Sequence, residues 1–268
     1  MDRLALEFIS VLGMPPVAYV ELAAKLGMKR IGFAPSPIAA NPHGYPAWDL
    51  RTDPALLGET KAALAANGIE VSLGEGFLIM PGMEIAESAA IMDIMAELGA
   101  PMVNAVVMEG DARRAFDQFA RYAAMAAERG MDACLEFLPM MWPINLAEAA
   151  AFVAESGAPN ARVLIDAMHF FRSGSTFADL AKIDPASIGY LQICDVPMPA
   201  TNPDYGMEAR DNRLAPGAGD LPLAGLIRAL PANLTVGLEL PMADKAAAGI
   251  GPEERLAPAI AAARELLS

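Results

Sequence analysis

The chain contains four short apolar runs, and each carries a polar residue at a position where a buried strand would normally have an apolar one. The four residues are Glu136, Asp166, Gln192 and Glu239. Burying a carboxylate in such a run is costly unless another group compensates the charge. Three carboxylates and an amide oxygen, supplied by four predicted strands, form an oxygen-rich set that suits a hard divalent cation. The alternative interpretation is that each residue caps a neighbouring helix.

Predicted strands and helices alternate along the whole chain. The eight strands cover residues 4–10, 30–34, 70–74, 102–108, 132–138, 162–166, 188–194 and 235–240, and the eight helices cover 15–26, 54–67, 84–98, 113–129, 145–156, 176–183, 222–230 and 252–267. Several strands are continuously apolar, as expected for a parallel sheet with helical crossovers. Eight such units in 268 residues predict an α/β fold, a single (β/α)8 TIM barrel spanning 1–268. No glycine-rich phosphate fingerprint follows the first strand, which disfavours a dinucleotide-binding fold.

Composition narrows the possible partners and the compartment. Hydrophobic residues make up 54% of the chain and charged residues 19%, so a large core is available. The net charge of −14 and the lack of a Lys/Arg cluster argue against nucleic acid as a partner. Cys134 and Cys194 lie in apolar runs and are interpreted as buried thiols of a reducing compartment. Without a signal peptide or an apolar run of membrane-spanning length, the chain is predicted to be cytoplasmic, with no membrane partner.

Two long loops separate the regular elements. The loop over residues 35–53 contains Trp48, and Trp142 lies in the loop after the fifth strand. Long loops inside a compact domain are usually functional, so either ring is a candidate wall for a substrate; plain packing is the alternative. The second loop covers residues 195–221.

Three arginines lie in loops at the predicted barrel mouth. Arg172 follows the sixth strand, and Arg210 and Arg213 lie in the loop after the seventh. In an acidic protein, arginines at this place indicate a carboxylate or phosphate on the substrate. The alternatives are ion pairs with Glu208 or Asp211 for Arg210 and Arg213, and an ordinary surface position for Arg172.

Three further residues are candidates for the pocket. His169 lies three residues after Asp166, where it would hydrogen-bond a substrate oxygen or donate a proton; the alternative is a loop histidine packed beside Phe170. Glu7 in the first strand and Glu75 after the third either line the pocket or form salt bridges with helices.

This order of elements resembles the xylose isomerase-like barrel superfamily, which includes ketose 3-epimerases, inosose dehydratases and endonuclease IV. The resemblance covers the whole chain. It is most specific in the ligand series on strands five to eight, in the segment Asp166-Ala-Met-His169, and in the segment Arg213-Leu-Ala-Pro-Gly217-Ala-Gly219. The arginine of the second segment matches the family's arginine before its Pro-Gly-x-Gly turn.

The resemblance implies a metal site similar to the Glu, Asp, His, Glu set of the epimerases. Gln192 stands where those enzymes have histidine, and a glutamine there resembles the 3-dehydroshikimate dehydratases of the same superfamily. The endonuclease branch needs a histidine-rich multi-zinc site, and the chain has only two histidines.

These observations predict a divalent-metal-dependent isomerase or epimerase of a small hydroxy-carbonyl compound, acting through an enediolate. Glu136 and Glu239 would remove and return the proton, with His169 as a further catalytic residue. Mg²⁺ or Mn²⁺ is favoured over Zn²⁺ or Co²⁺, because Zn²⁺ usually recruits Cys or His. The alternatives are a dehydratase of the 3-dehydroshikimate type and an inert sugar-acid-binding barrel. The predicted partners are a small-molecule substrate and a second copy in a homo-oligomer.

Overall fold

The computed structural model describes residues 2–38 and 41–268 and contains a closed parallel barrel of eight strands in sequence order. The strands are β1 (Leu4–Leu6), β2 (Arg30–Phe33), β3 (Glu70–Ile79), β4 (Met102–Val107), β5 (Asp132–Glu136), β6 (Ala161–Asp166), β7 (Ile188–Ile193) and β8 (Val236–Leu238). Closure is made by β1, which pairs with both β2 and β8. The predicted fold class is therefore confirmed.

Eleven α-helices surround the barrel in the described part of the chain. They are α1 (Pro16–Lys25), α2 (Pro54–Asn67), α3 (Ala89–Glu97), α4 (Ala112–Ala127), α5 (Leu146–Glu155), α6 (Ala167–Arg172), α7 (Phe177–Leu180), α8 (Tyr205–Asp211), α9 (Leu223–Ala229), α10 (Ala243–Ala247) and α11 (Pro252–Leu267). Short 3₁₀ helices occupy Phe8–Val11, Ile85–Ser88 and Pro185–Ser187. No described helix is both long enough and apolar enough to cross a bilayer.

The predicted count of eight helices was wrong, because α6, α8 and α10 were missed. Each has seven residues or fewer, which is too short to show a helical period in the sequence. The predicted end of β1 was also wrong, since the strand stops at Leu6 and a 3₁₀ helix follows. The predicted helix-closing glycines are confirmed by their positive φ angles: Gly27, Gly68, Gly99 and Gly130.

Strand register brings the polar residues of the last four strands to one end of the barrel. Asp166 pairs with Gln192, and Gln192 pairs with Gly237, two residues before Glu239. Glu136 is the last residue of β5, as Asp166 is of β6. Because parallel strands end at the same face, these side chains share the C-terminal mouth, where the active sites of such barrels lie.

The interior of the barrel is filled by side chains from strands on different sides of it. Leu73, Cys134, Leu164 and Tyr190 form a buried cluster apart from the main core. Residues from β3, β5, β6 and β7 can meet in this way only across the barrel interior. The main core packs the outer faces of the strands against the helices.

Glycines in β2 and β8 leave room for Glu7, which is fully buried at the end of β1. A Cβ atom on Gly237 would lie 1.7 Å from Glu7 Oε1, and one on Gly32 would lie 2.0 Å from Glu7 Oε2. Neither distance is compatible with a side chain, so these two positions require glycine for as long as Glu7 holds its place.

We expect Gly237→Ala to lower the free energy of unfolding by about 1–3 kcal/mol, the usual cost of overpacking a core. Chemical denaturation monitored by circular dichroism measures this change. The matched control is Gly58→Ala, because Gly58 lies in α2 with open space around its Cα; this variant should gain about 0.5–1 kcal/mol. Equal effects of the two substitutions would contradict the steric role of Gly237.

Candidate metal centre

The four predicted ligands lie at the barrel mouth and are almost fully removed from water. Glu136 is 8% exposed, Asp166 is fully buried, Gln192 is 1% exposed and Glu239 is 7% exposed. Three carboxylates in so small a desolvated region require compensating positive charge or shared protons.

Glu136, Asp166 and His169 each contribute one potential ligand atom to a group in which all the atoms lie within 4.8 Å of one another. His169 Nε2 lies 3.4 Å from Glu136 Oε1, and Nδ1 lies 3.7 Å from Asp166 Oδ1. The spacing of Asp166 and His169 has a local cause: Asp166 is the N-cap of α6 and accepts a hydrogen bond from the His169 N–H at 2.9 Å. His169 therefore joins the candidate ligand set.

Arg213 connects the other predicted ligands. Its Nη1 donates to Asp166 Oδ2 at 2.5 Å and to Glu239 Oε2 at 2.6 Å, and its Nε donates to the Ala209 carbonyl. The guanidinium is 4% exposed. The structure thus holds Glu239 beside Asp166 through a cation of the chain itself. The assignment of Arg213 to substrate binding stays a prediction.

The pKa values of Asp166 and Glu239, the two partners of Arg213, are shifted in opposite directions. Burial would raise the pKa of Asp166, but the charges of Arg213 and His169 hold it below its usual range. Burial raises the pKa of Glu239 well above its usual value against the opposing charge of Arg213, and the neighbouring Asp166 raises it further. Asp166 is therefore the more acidic of the two groups.

The residues present fit a divalent cation. Gln192 Oε1 is buried and has no hydrogen-bond partner among the described residues, which is costly for a carbonyl oxygen. Glu136 is held in place by the amide of Asn104, whose Nδ2 donates to Glu136 Oε2 at 2.7 Å. A cation at the mouth would satisfy Gln192 and offset the carboxylates. The imidazole of His169 adds a nitrogen donor, a ligand type that Zn²⁺ also accepts.

Tyr205 contacts the site although the sequence did not identify it. Its hydroxyl is hydrogen-bonded to His169 Nδ1, which leaves Nε2 directed at Glu136. Burial raises the pKa of the Tyr205 hydroxyl. The one available signal was Asp204, a typical N-cap residue that begins α8 within the long loop.

The other predicted arginines have partners of their own. Arg172 makes two hydrogen bonds to the Glu208 carboxylate, at 2.7 and 3.0 Å, and a third to the Pro197 carbonyl. Arg210 is largely exposed and lies 3.6 Å from Asp211. Their role in substrate binding stays a prediction.

Both tryptophans pack against aromatic neighbours in loops at the mouth. Trp48 meets Phe8 edge to face at 5.7 Å, and its Nε1 donates to the Gly13 carbonyl. Trp142 packs edge to face against Phe116 and Phe152 and is 36% exposed. Their predicted role as a wall for the substrate is likewise untested.

A second pair of carboxyl groups, Glu7 and Glu75, lies in the barrel interior. Tyr190 donates to Glu7 Oε1 at 2.8 Å, and the Phe8 N–H donates to Glu75 Oε1 at 3.2 Å. Burial raises the pKa of Glu7 to about 7. Burial and the charge of Glu7 raise the pKa of Glu75 well above its usual value. The pair therefore keeps a proton near neutral pH, and its hydrogen-bond donors are the Tyr190 hydroxyl and the Phe8 N–H, not the helix salt bridges of the alternative interpretation.

The fold and the mouth define a class of protein: a (β/α)8 barrel with a candidate divalent-metal centre at the C-terminal ends of its strands. Residues 20–266 match the family model for the xylose isomerase-like TIM barrel, so the chain belongs to that family. A search of curated proteins found no significant match.

Solved structures with the same fold are distant in sequence. The IOLI protein with a bound zinc atom has a TM-score of 0.81 at 18% identity, covering 100% of this chain and 98% of that one. A D-psicose 3-epimerase from Clostridium cellulolyticum H10, solved with D-tagatose, has a TM-score of 0.73 at 18% identity over the full length of both chains. The probable 3-DHS dehydratase AsbF from Bacillus anthracis has a TM-score of 0.76 at 12% identity, covering 98% of this chain and 99% of that one.

The raised pKa of Glu7 predicts a pH dependence of stability. The folded state holds the proton of Glu7 more tightly than the unfolded state does. The free energy of unfolding should therefore fall as the pH rises from 4.5, the ordinary pKa of the group, to about 7. The slope reaches up to about 1.4 kcal/mol per pH unit for one proton. Replacing Glu7 and Glu75 together by Gln should flatten the free energy of unfolding across this window. Denaturant titrations at several pH values measure it, with Glu21→Gln on the exposed face of α1 as control. If the unmodified protein, the double variant and the control gave parallel curves of unfolding free energy against pH, the raised pKa assigned to Glu7 would be contradicted.

Proposed function

We propose that the protein is a divalent-metal-dependent isomerase or epimerase of a small hydroxy-carbonyl compound. The observation that carries this proposal is the buried group of Glu136, Asp166 and His169, with Glu239 held beside it, at the mouth of the barrel. The likeness to a D-psicose 3-epimerase and to a zinc-containing IOLI structure supports it.

Glu136, Asp166, Gln192 and Glu239 are the proposed ligands, with His169 as a further donor at the same group. When bound, a divalent cation would polarise a substrate carbonyl and acidify the adjacent carbon-bound proton. We propose Mg²⁺ or Mn²⁺ for the oxygen-rich set, and His169 makes Zn²⁺ or Co²⁺ the next candidates.

Glu136 and Glu239 are the proposed proton-transfer groups. They come from β5 and from the end of β8, with two strands between them, and both line one cavity of about 350 Å³. Carboxylates that approach from different sides can remove a proton on one face of a substrate and return it on the other. Removal and return on opposite faces gives epimerisation, and transfer to the neighbouring carbon gives isomerisation, both through an enediolate of the substrate.

A dehydratase of the 3-dehydroshikimate type is the second candidate. Gln192 on β7 favours it, and the fold of the probable 3-DHS dehydratase AsbF is similar. The same enediolate would then expel a β-hydroxyl group, and His169 would supply the proton to the leaving oxygen. An inert binding barrel is the third candidate, and the absence of a stoichiometric metal would favour it.

The proposal extends to the compartment and the partners of the protein. Cys134 and Cys194 are buried free thiols, which supports a reducing compartment such as the cytoplasm. The partners that we propose are a small-molecule substrate and, in a homo-oligomer, a second copy of the chain.

Asp166→Ala should lower metal affinity by at least about tenfold, because it removes the charged oxygen at the centre of the ligand group. Elemental analysis and competition with a chelator measure the metal content and the affinity. Asp111→Ala is a matched control, since Asp111 caps α4 as Asp166 caps α6 but lies outside the metal-ligand group. Metal content near one per chain in both variants would overturn the ligand assignment.

Glu136→Gln and Glu239→Gln should each keep a ligand oxygen while removing a base, so turnover should fall by about 10²-fold or more with metal retained. In deuterated water, one variant should still exchange the carbon-bound proton of the substrate without completing the reaction, because only the removing base survives. NMR of the substrate detects this exchange. Full activity in both variants would exclude the two-carboxylate mechanism and leave His169 as the candidate base.

A further inference from the structure

One buried arginine near the mouth lacks partners for most of its donors. Arg255 lies in the first turn of α11 and is 4% exposed. Its Nη1 donates to the Ser10 carbonyl at 3.5 Å, which is long for a hydrogen bond. Nε and Nη2 have no hydrogen-bond partner among the described residues. Because an unpaired buried charge is costly, a group from outside the described chain should compensate it.

The two unpaired donors of Arg255 point in the same direction. Nε and Nη2 lie on one edge of the planar guanidinium, where their N–H groups are parallel. This edge matches two oxygens of a carboxylate or phosphate, which accept a pair of parallel hydrogen bonds from it. The unpaired atoms of Arg255 therefore indicate an anion with two adjacent oxygens.

His43 adds a second buried polar atom near this arginine. His43 Nε2 has no hydrogen-bond partner among the described residues. Burial and the charge of Arg255 lower the pKa of His43, so the imidazole lies within the field of the guanidinium. An anion between the two side chains would accept from the guanidinium and from His43 Nε2 when that nitrogen carries a proton.

The loop that carries His43 is held in a defined turn. Asn41 Nδ2 donates to the Tyr45 carbonyl at 2.7 Å, and the Tyr45 N–H donates to Asn41 Oδ1 at 2.9 Å. The rings of His43 and Tyr45 lie 5.5 Å apart. Farther along the loop, Trp48 Nε1 donates to the Gly13 carbonyl at 3.1 Å. These contacts hold the imidazole in place.

The acidic residues next to Arg255 in the sequence do not neutralise it. Glu253 and Glu254 precede it in α11 and are both exposed, and Glu253 pairs with Lys25 at 2.6 Å. The net charge of −14 disfavours anions over the protein surface as a whole. Any anion that binds must therefore be held by local donors, and Arg255 supplies buried ones.

Arg255 is connected to the barrel mouth through Ser10. Ser10 Oγ donates to the Leu238 carbonyl at 3.2 Å and accepts from the Leu240 N–H at 2.8 Å. Leu238 and Leu240 flank Glu239 in the chain. The residue that contacts Arg255 is therefore bonded to the strand end that carries a proposed metal ligand.

We propose that Arg255 and His43 form a site for a carboxylate or phosphate group, between the loop at residues 41–45 and the first turn of α11. The anion binds side-on to Nε and Nη2 of Arg255 and accepts a further hydrogen bond from His43 Nε2. Arg172 and Arg213, by contrast, already bind carboxylates of the chain. Because Arg255 is almost fully buried, entry of the anion requires an outward shift of the loop.

The site is separate from the metal centre and does not depend on the proposed function. The anionic group belongs either to the substrate at the mouth or to a separate small molecule, and the chemistry of recognition is the same in both cases.

Histidine NMR tests the site directly, because the chain has only two histidines. The isotope-labelled full chain is titrated with inorganic phosphate in the presence of Mg²⁺, and the imidazole signals of His43 and His169 are followed. We expect the His43 signals to shift in a saturable manner. The signals of His169, which belongs to the candidate metal-ligand group, should stay unchanged.

Variants of Arg255 assign the shift to the guanidinium. Arg255→Met keeps the apolar stem without the charge, so the affinity for phosphate should fall by at least about tenfold. Arg255→Lys keeps a charge but loses the side-on pair of donors, and it should weaken binding as well. The control is Arg264→Met, on the same helix at a partly exposed position, which should leave the affinity unchanged.

Two sugars separate the possible sources of the anion. D-fructose 6-phosphate and D-fructose differ only in the phosphate group. If the substrate carries the anion, the phosphorylated sugar should shift both His43 and His169 and bind at least about tenfold more tightly than D-fructose. If a separate small molecule supplies it, the phosphorylated sugar should shift His43 alone and bind no more tightly than inorganic phosphate.

The outcomes also distinguish this site from the proposed function. A lack of saturable shift at His43 with both phosphate compounds, or an unchanged phosphate affinity in both Arg255 variants, would overturn the site. A protein that binds no metal at the mouth but still shows the His43 shift, lost in Arg255→Met, would keep the site and count against the metal-dependent enzyme.

Discussion

The mouth of this barrel depends on the compensation of carboxylates that folding removes from water. Asp166 and Glu239 are held together by one buried guanidinium, that of Arg213. Removing the arginine would leave two buried acidic groups without their cation, which is strongly destabilising, whereas removing one carboxyl group would leave Arg213 paired with the other. Any divalent cation that binds Asp166 and Glu239 must share them with Arg213 or displace it. The ion pair therefore links the stability of the mouth to its affinity for a metal.

Beneath this ion pair, a second pair of carboxyl groups is buried without a cation beside it. Glu7 and Glu75 are buried next to each other, and a retained proton and the Tyr190 hydroxyl replace a counter-charge. Glycines on the two strands that flank β1, Gly32 and Gly237, make the space for them. A protein needs neither group for packing alone, since apolar side chains would fill the volume at lower cost.

Some of this arrangement could be predicted from the sequence and some could not. The apolar runs that carry Glu136 and Asp166 predicted both the strands and the polar residues at their ends. A carboxylate in an apolar run indicates a site, because its burial is costly unless another group compensates it. The sequence placed Arg213 at the mouth but not its contact with Asp166, and it did not identify Tyr205 as a partner of His169. These pairs are 47 and 36 residues apart, and the segment that carries Arg213 and Tyr205 has no hydrophobic period. Asn104, whose amide holds Glu136 in place, lies within an apolar strand and has no sequence signature of such a role.

The proposed function requires that the buried oxygens at the mouth bind a divalent cation. The most direct measurement is an anomalous difference map from crystals grown with Mn²⁺. We expect one strong peak at coordinating distance, about 2.0–2.3 Å, from oxygens of Glu136 and Asp166, with Gln192, Glu239 or His169 completing the coordination sphere. A map with no peak at the mouth would contradict the assignment of a divalent-metal site.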